Sequence, residues 1–74
     1  MLSKQIIHLR KKVGMSQSQL AKQLSISPST IGMYEQGRRV PALDILIVMA
    51  KLFNVSLDYL ITGSESISQI DEKG

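Results

Sequence analysis

The chain has no cysteine and no tryptophan, a single histidine (His8), two prolines and three aromatic residues, Tyr34, Phe53 and Tyr59. Without cysteine there is no disulfide, no thiolate zinc site and no cysteine nucleophile, a usage that fits a reducing compartment. The longest uninterrupted apolar run, Ile45 to Ala50, is six residues, whereas a membrane-spanning helix needs about 20. Met1-Leu2-Ser3-Lys4 leads into a charged stretch rather than the apolar segment of a secretory signal. At 74 residues the chain makes one domain. A chain of that size buries only about 60% of the surface its unfolded form exposes, so there is little room for a deep substrate pocket. The expectation is a single soluble domain of the cytoplasm.

Catalytic groups are equally scarce. His8 stands between Ile7 and Leu9, with no relay partner beside it. Asp44 and Asp58 fall at expected helix starts, where an acid favours the helix dipole for structural reasons. Asp71-Glu72 has no third ligand nearby. There is no phosphate-binding loop, no glycine-rich dinucleotide fingerprint and no metal-ligand spacing. The expectation is therefore no enzyme, no cofactor, no metal and no small-molecule substrate.

What is present is an asymmetry of charge. Residues 1–40 carry Lys4, Arg10, Lys11, Lys12, Lys22, Arg38 and Arg39 against Glu35 alone. Residues 41–74 carry Lys51 and Lys73 against Asp44, Asp58, Glu65, Asp71 and Glu72. A basic half joined to an acidic half suits a polyanion on one side, although a solvated charged surface has the same composition.

Helix punctuation recurs at short intervals, and no stretch alternates with period two. A first helix, Ser3 to Lys12, puts Leu2, Ile6, Leu9 and Val13 on one stripe and ends at Gly14, which suits the left-handed position after a helix. Ser16 and Gln19 form a capping box that opens a second helix to Leu24, with Leu20, Ala21 and Leu24 inward. Ser27 caps a third helix and Pro28 fills its first position, where the missing N–H costs nothing. That helix stops near Gln36, before Gly37. A fourth runs from Ala42 to Phe53 and ends at Asn54. Ser56 caps a short fifth helix that ends before Gly63. The expected architecture is all-α, a compact five-helix bundle over residues 1–63. Residues 64–74 form a polar, acidic tail or the start of a linker.

Two short helices joined around Leu24-Ser25-Ile26-Ser27 can cross steeply, with Ala21 and Ile31 inward. On the third helix Ile31, Tyr34 and Glu35 point to one side. Ser29, Met33 and Gln36 point to the other, flanked by Thr30 and Gly32. An exposed face at a capped helix start, in a basic half-chain, meets the requirement for entry into the DNA major groove. Its free amides also favour a phosphate. Helix pairs of this kind occur as well in proteins that bind only other proteins.

From Ile6 to Ile61 the sequence resembles the xenobiotic-response-element group of helix-turn-helix domains, the fold of lambdoid phage repressors and Cro proteins. The resemblance rests on Leu9-Arg10, Met15-Ser16-Gln17, Leu20-Ala21, Ile26-Ser27, Ile31, Tyr34-Glu35, Gly37-Arg38, Pro41 and Ser56-Leu57-Asp58-Tyr59-Leu60. It implies a lambda-repressor-like DNA-binding domain of a transcriptional regulator, typically a dimer on a two-fold operator of double-stranded DNA. It implies that Pro28, Ser29, Gly32 and Met33 lie at base-reading positions, and that Gln17 contacts the sugar-phosphate backbone and supports the recognition helix. Gln36, Arg38 and Arg39 would follow the phosphates, with Ser27 and Thr30 at the same helix start. Arg10 and Glu35 match a structural pair, and Arg10 has enough donors to reach a phosphate too.

Two positions, Ser25 and Ala42, depart from the family pattern. Ser25 stands where glycine is common, at a cost of about 1 kcal/mol for the left-handed conformation. Ala42 replaces a capping serine, a loss of about 1 kcal/mol. Gly32 inside a helix costs roughly 1 kcal/mol relative to alanine; close approach of backbone to DNA and plain tolerance at an exposed site both account for it. No Arg, Lys, Asn or Gln occupies positions 28, 29, 32 or 33. Selectivity is therefore expected from thymine methyls and groove shape, read by Met33 and Ser29.

The fourth helix is apolar nearly all round. Leu43, Leu46, Met49, Ala50 and Phe53 account for a core face, with Ile47 at its edge. Ile45, Val48 and Leu52 form a second arc. That arc, with Tyr59 and Ile61, is expected to meet a partner, first of all a second copy of the chain; the fifth helix and tail folding over it is the competing arrangement. The rival function to a DNA-binding repressor is a protein-interaction module, or an antitoxin, on the same fold.

Overall fold

The structure, a computed structural model, describes residues 1–64. The described residues form five helices, α1 (Leu2–Lys12), α2 (Gln17–Leu24), α3 (Pro28–Glu35), α4 (Leu43–Phe53) and α5 (Leu57–Thr62), with no strand among them. The expected all-α, five-helix fold is the one present. All of the expected tail beyond Ser64 lies outside the described residues.

Local chemistry sets the helix ends. The Ser16 hydroxyl accepts from the Gln19 amide at 3.0 Å and the Gln19 side chain accepts from the Ser16 amide at 2.8 Å, the reciprocal capping box that starts α2. Ser27 and Ser56 cap α3 and α5 in the same one-sided way, accepting from the Thr30 and Tyr59 amides. Ala42 precedes α4 with no side-chain cap, as its methyl requires. After α1 the chain reverses through Gly14 at φ +80°, where the Gly14 and Met15 amides donate to the Lys11 and Arg10 carbonyls. Ser25 makes the equivalent closure after α2 at φ 59°, with Ser25 and Ile26 donating to Lys22 and Ala21. A β-carbon therefore occupies a backbone region that disfavours one.

Each helix sends one side chain to the centre. Ile6, Leu20, Ile31, Met49 and Leu60, one from each of α1 to α5, have no exposed surface. Leu9, Ala21, Leu24, Tyr34, Leu46, Ala50 and Phe53 complete the core around them. α2 packs on α3 and α4, α1 on α3 and α5, and α4 on α5.

The packing differs from the sequence pattern on two helices. Val13, expected on the inward stripe of α1, is exposed, because it is the last residue before the reversal at Gly14 and no helix lies over it. On α4 the expected core face is buried at Leu46, Met49, Ala50 and Phe53, and the burial spreads beyond it on one side only. Ile45 and Leu52 pack against the core, together with Tyr59 of α5, whereas Leu43 is 61% exposed. Two of the three residues of the expected second arc, Ile45 and Leu52, are thus half-buried. Val48 and Ile61 remain exposed, joined by Leu43 and Ile47. No helix among the described residues is long and apolar enough to cross a membrane.

Candidate nucleic-acid interface

α3 is held from beneath by a three-helix tie. Arg10, in the last turn of α1, donates from Nε to Glu35 Oε2 at 2.6 Å and from Nη2 to Glu35 Oε1 at 3.2 Å. Its Nη1 donates to the Met15 carbonyl at 2.9 Å. Gln17, the first residue of α2, donates from Nε2 to Glu35 Oε1 at 2.9 Å. Glu35 ends α3, so its carboxylate joins the end of one helix, the start of a second and its own. Burial pushes the Glu35 carboxyl up. The hydrogen bonds from Arg10 and Gln17, with the positive charges of Arg10 and Lys11, outweigh that and hold it below the usual carboxylate value.

The tie gives Arg10 its structural role. The residue is only 9% exposed, and each of its three nitrogens already donates within the domain. The Arg10–Glu35 pair is formed, with one N–H on each of Nη1 and Nη2 not used within the domain. The bond from Gln17 to Glu35 names the partner through which Gln17 supports α3. It joins residues 18 apart in sequence, and neither local spacing nor periodicity marks it.

Above the tie, α3 presents a face on which nothing in the domain packs. Pro28, Ser29, Met33 and Gln36 are exposed, and Gly32 is half-buried among them. At the helix start the Ser27 hydroxyl accepts from the Thr30 amide. It also shares hydrogen bonds with the Ser29 and Thr30 hydroxyls at 3.1 and 2.9 Å, so three hydroxyls cluster at the first turn. Past the other end, Gly37 at φ +74° reverses the chain. The Gly37 and Arg38 amides donate to the Tyr34 and Met33 carbonyls. That reversal leaves Arg38 and Arg39 exposed beside the α3 face, with Gln17 exposed at the start of α2. A neutral, partly apolar helix face thus lies between exposed donors, an arrangement fitted to a polyanion whose bases carry the apolar contacts. Among the described residues, no three His, Cys, Asp or Glu side chains gather where a metal ion could be held.

The helix-turn-helix family model matches residues 6–60, which include α2, its turn and α3 in full. The chain belongs to the helix-turn-helix family. As a helix-turn-helix domain it is 35% identical over 71 residues to the HTH-type transcriptional regulator ImmR of Bacillus subtilis (strain 168), covering 96% of this chain and 55% of ImmR. It is 37% identical over 60 residues to the HTH-type transcriptional activator BcrR of Enterococcus faecalis, covering 81% of this chain and 29% of BcrR. The chain therefore spans little more than half of one relative and under a third of the other. Its fold is similar to that of the P22 c2 repressor in complex with a synthetic operator. The TM-score is 0.81 and the identity 28%, over 86% of this chain and 97% of the repressor chain. The lambda-repressor-like architecture implied by the sequence resemblance is thus the architecture found.

Proposed function

We propose that this helix-turn-helix domain binds specific sites on double-stranded DNA as a homodimer and regulates transcription, acting as a repressor. The observation that carries the proposal is the outward face of α3, uncovered by the rest of the domain and fixed from below by Glu35. Likeness to the operator-bound P22 c2 repressor supports placing that face in the major groove. Pro28, Ser29, Gly32 and Met33 meet the base edges. Gln17, Ser27, Thr30, Gln36, Arg38 and Arg39 meet the sugar-phosphate backbone, and Arg10 joins them with the N–H groups that the tie leaves over. Glu35 fixes one N–H of the Gln17 amide and leaves the other for a phosphate oxygen. Met33, 39% exposed, offers its thioether to thymine methyls.

The dimer rests on the apolar side chains left uncovered on α4 and α5, Leu43, Ile47, Val48 and Ile61. A two-fold pair would set two α3 helices about 34 Å apart, one turn of DNA. Repression follows from occupying a promoter. The activator BcrR shows that the direction of control differs among relatives, and a reporter gene under the selected site decides it here.

The same uncovered apolar residues favour one second reading, a module that binds another protein. Glutamate in place of Ile47 and Val48 separates the two. It dissociates a homodimer and weakens DNA binding under our proposal, and it releases a foreign partner without touching DNA binding under the alternative. Enrichment of duplexes from a random pool by the purified chain, and their release by salt, tests the proposal itself.

A further inference from the structure

Gly32 stands in the middle of an eight-residue helix where glycine is the poorest non-proline choice. Nothing inside the domain demands it. Its φ is not left-handed, and a β-carbon built there would approach nothing closer than the Gln36 Nε2 at 4.0 Å. The fold would accept alanine and gain from it. The missing side chain leaves a notch one residue wide on the α3 face, between the larger Met33 and Gln36, with the small Ser29 one turn before it. The backbone at the floor of the notch has no free polar group to offer. The Gly32 carbonyl accepts from the Gln36 amide at 3.0 Å, and the Gly32 amide lies within the α-helical ladder. The floor therefore suits a small apolar occupant, with the Gln36 amide at the rim. The one apolar group that projects into the major groove is the thymine C5-methyl.

We infer that the Gly32 notch is a thymine-methyl site, so that position 32 selects a base by what it lacks. The inference rests on the DNA-binding proposal above and adds to it the base recognised and the means. It also accounts for a face without arginine, lysine or asparagine at positions 28, 29, 32 and 33: shape discriminates there instead of bidentate hydrogen bonds.

The test exchanges one methyl between protein and DNA. The 74-residue chain first enriches duplexes from a random pool at low salt, and each thymine of the enriched duplex is then replaced singly by deoxyuridine, which lacks only that methyl. Wild type is expected to lose about threefold in affinity at one thymine per half-site. Gly32→Ala should lose roughly tenfold on the parent duplex and return to within about twofold of wild type on the deoxyuridine duplex at that thymine. Its melting temperature should rise by about 4 °C, which separates the lost affinity from unfolding. If Gly32→Ala binds the parent duplex as tightly as wild type, or if no deoxyuridine restores it, the notch carries no recognition and the inference fails while DNA binding stands. A fall in melting temperature overturns the premise that the fold leaves the position open. A wild-type chain that enriches no duplex overturns the DNA-binding proposal and this inference with it.

Discussion

The side-chain amide of Gln17 donates to Oε1 of Glu35 at 2.9 Å, joining the first residue of α2 to the last residue of α3. The same carboxylate takes two hydrogen bonds from Arg10 of α1. The angle between the two helices of the motif is thus set by apolar packing of Ala21, Leu24 and Ile31 below and by one carboxylate at its edge.

Removal of Glu35 should cost the fold more than any surface charge would. A buried ion pair broken on one side loses about 3 kcal/mol, because the remaining charge is left uncompensated. Glu35→Ala is expected to lower the melting temperature by roughly 15 °C, as read by circular dichroism. A change within a degree or two would show that the tie is not a stabilising element.

Acid should act through the same residue. The Glu35 carboxyl titrates below its ordinary value in the folded chain, so the unfolded chain takes up the proton first as pH falls. The stability it contributes is complete above the ordinary carboxylate range. It declines as pH drops through that range and is gone once pH is below the folded-state value. Glu35→Gln should flatten this part of the stability-against-pH curve in urea titrations. An unchanged slope would place the acid sensitivity elsewhere.

Gln17→Ala removes one exposed hydrogen bond to the Glu35 carboxylate and should cost about 1 kcal/mol of stability. Its affinity for an enriched duplex should fall roughly tenfold without a change in salt dependence, since a neutral donor releases no counterion. Arg38→Ala and Arg39→Ala should each weaken binding to all duplexes alike and reduce the salt slope by about one. A sequence-dependent loss at either arginine would move it from the backbone to the bases.

Much of this architecture was legible in the chain. The Ser16–Gln19 box, the Ser27 cap with Pro28 behind it, and the reversals at Gly14, Ser25 and Asn54 are all decided within four or five residues, and the helix ends fall where those signals place them. What was less legible depends on elements far apart in sequence. α4 has enough apolar residues for two faces, and only packing against helices distant in sequence decides that Ile45 and Leu52 are half-buried while Leu43 stays out. The Arg10–Glu35 match was visible as a pattern. That Gln17 shares the carboxylate, and that every nitrogen of Arg10 is engaged, emerged only once three helix ends met.

Two departures from the family pattern are reversible. Ser25→Gly relieves a side chain at φ 59° and Ala42→Ser supplies the cap that α4 lacks. Each should add about 1 kcal/mol, or roughly 5 °C in melting temperature, and the two should be additive because the sites share no partner. A loss of stability at Ser25→Gly would mean that its hydroxyl has a role beyond the turn.

The central claim is that the outward face of α3 enters the major groove of specific duplex sites. Sedimentation of the 74-residue chain with a mixed pool of duplex DNA, at low and then at high salt, tests it most directly, with Met33→Asp run alongside. The account predicts a chain that shifts onto duplex at low salt, is released as salt rises, and loses the shift with Met33→Asp while its melting temperature is kept. A chain that ignores duplex at low salt, or a Met33→Asp variant that binds as well as wild type, would contradict it.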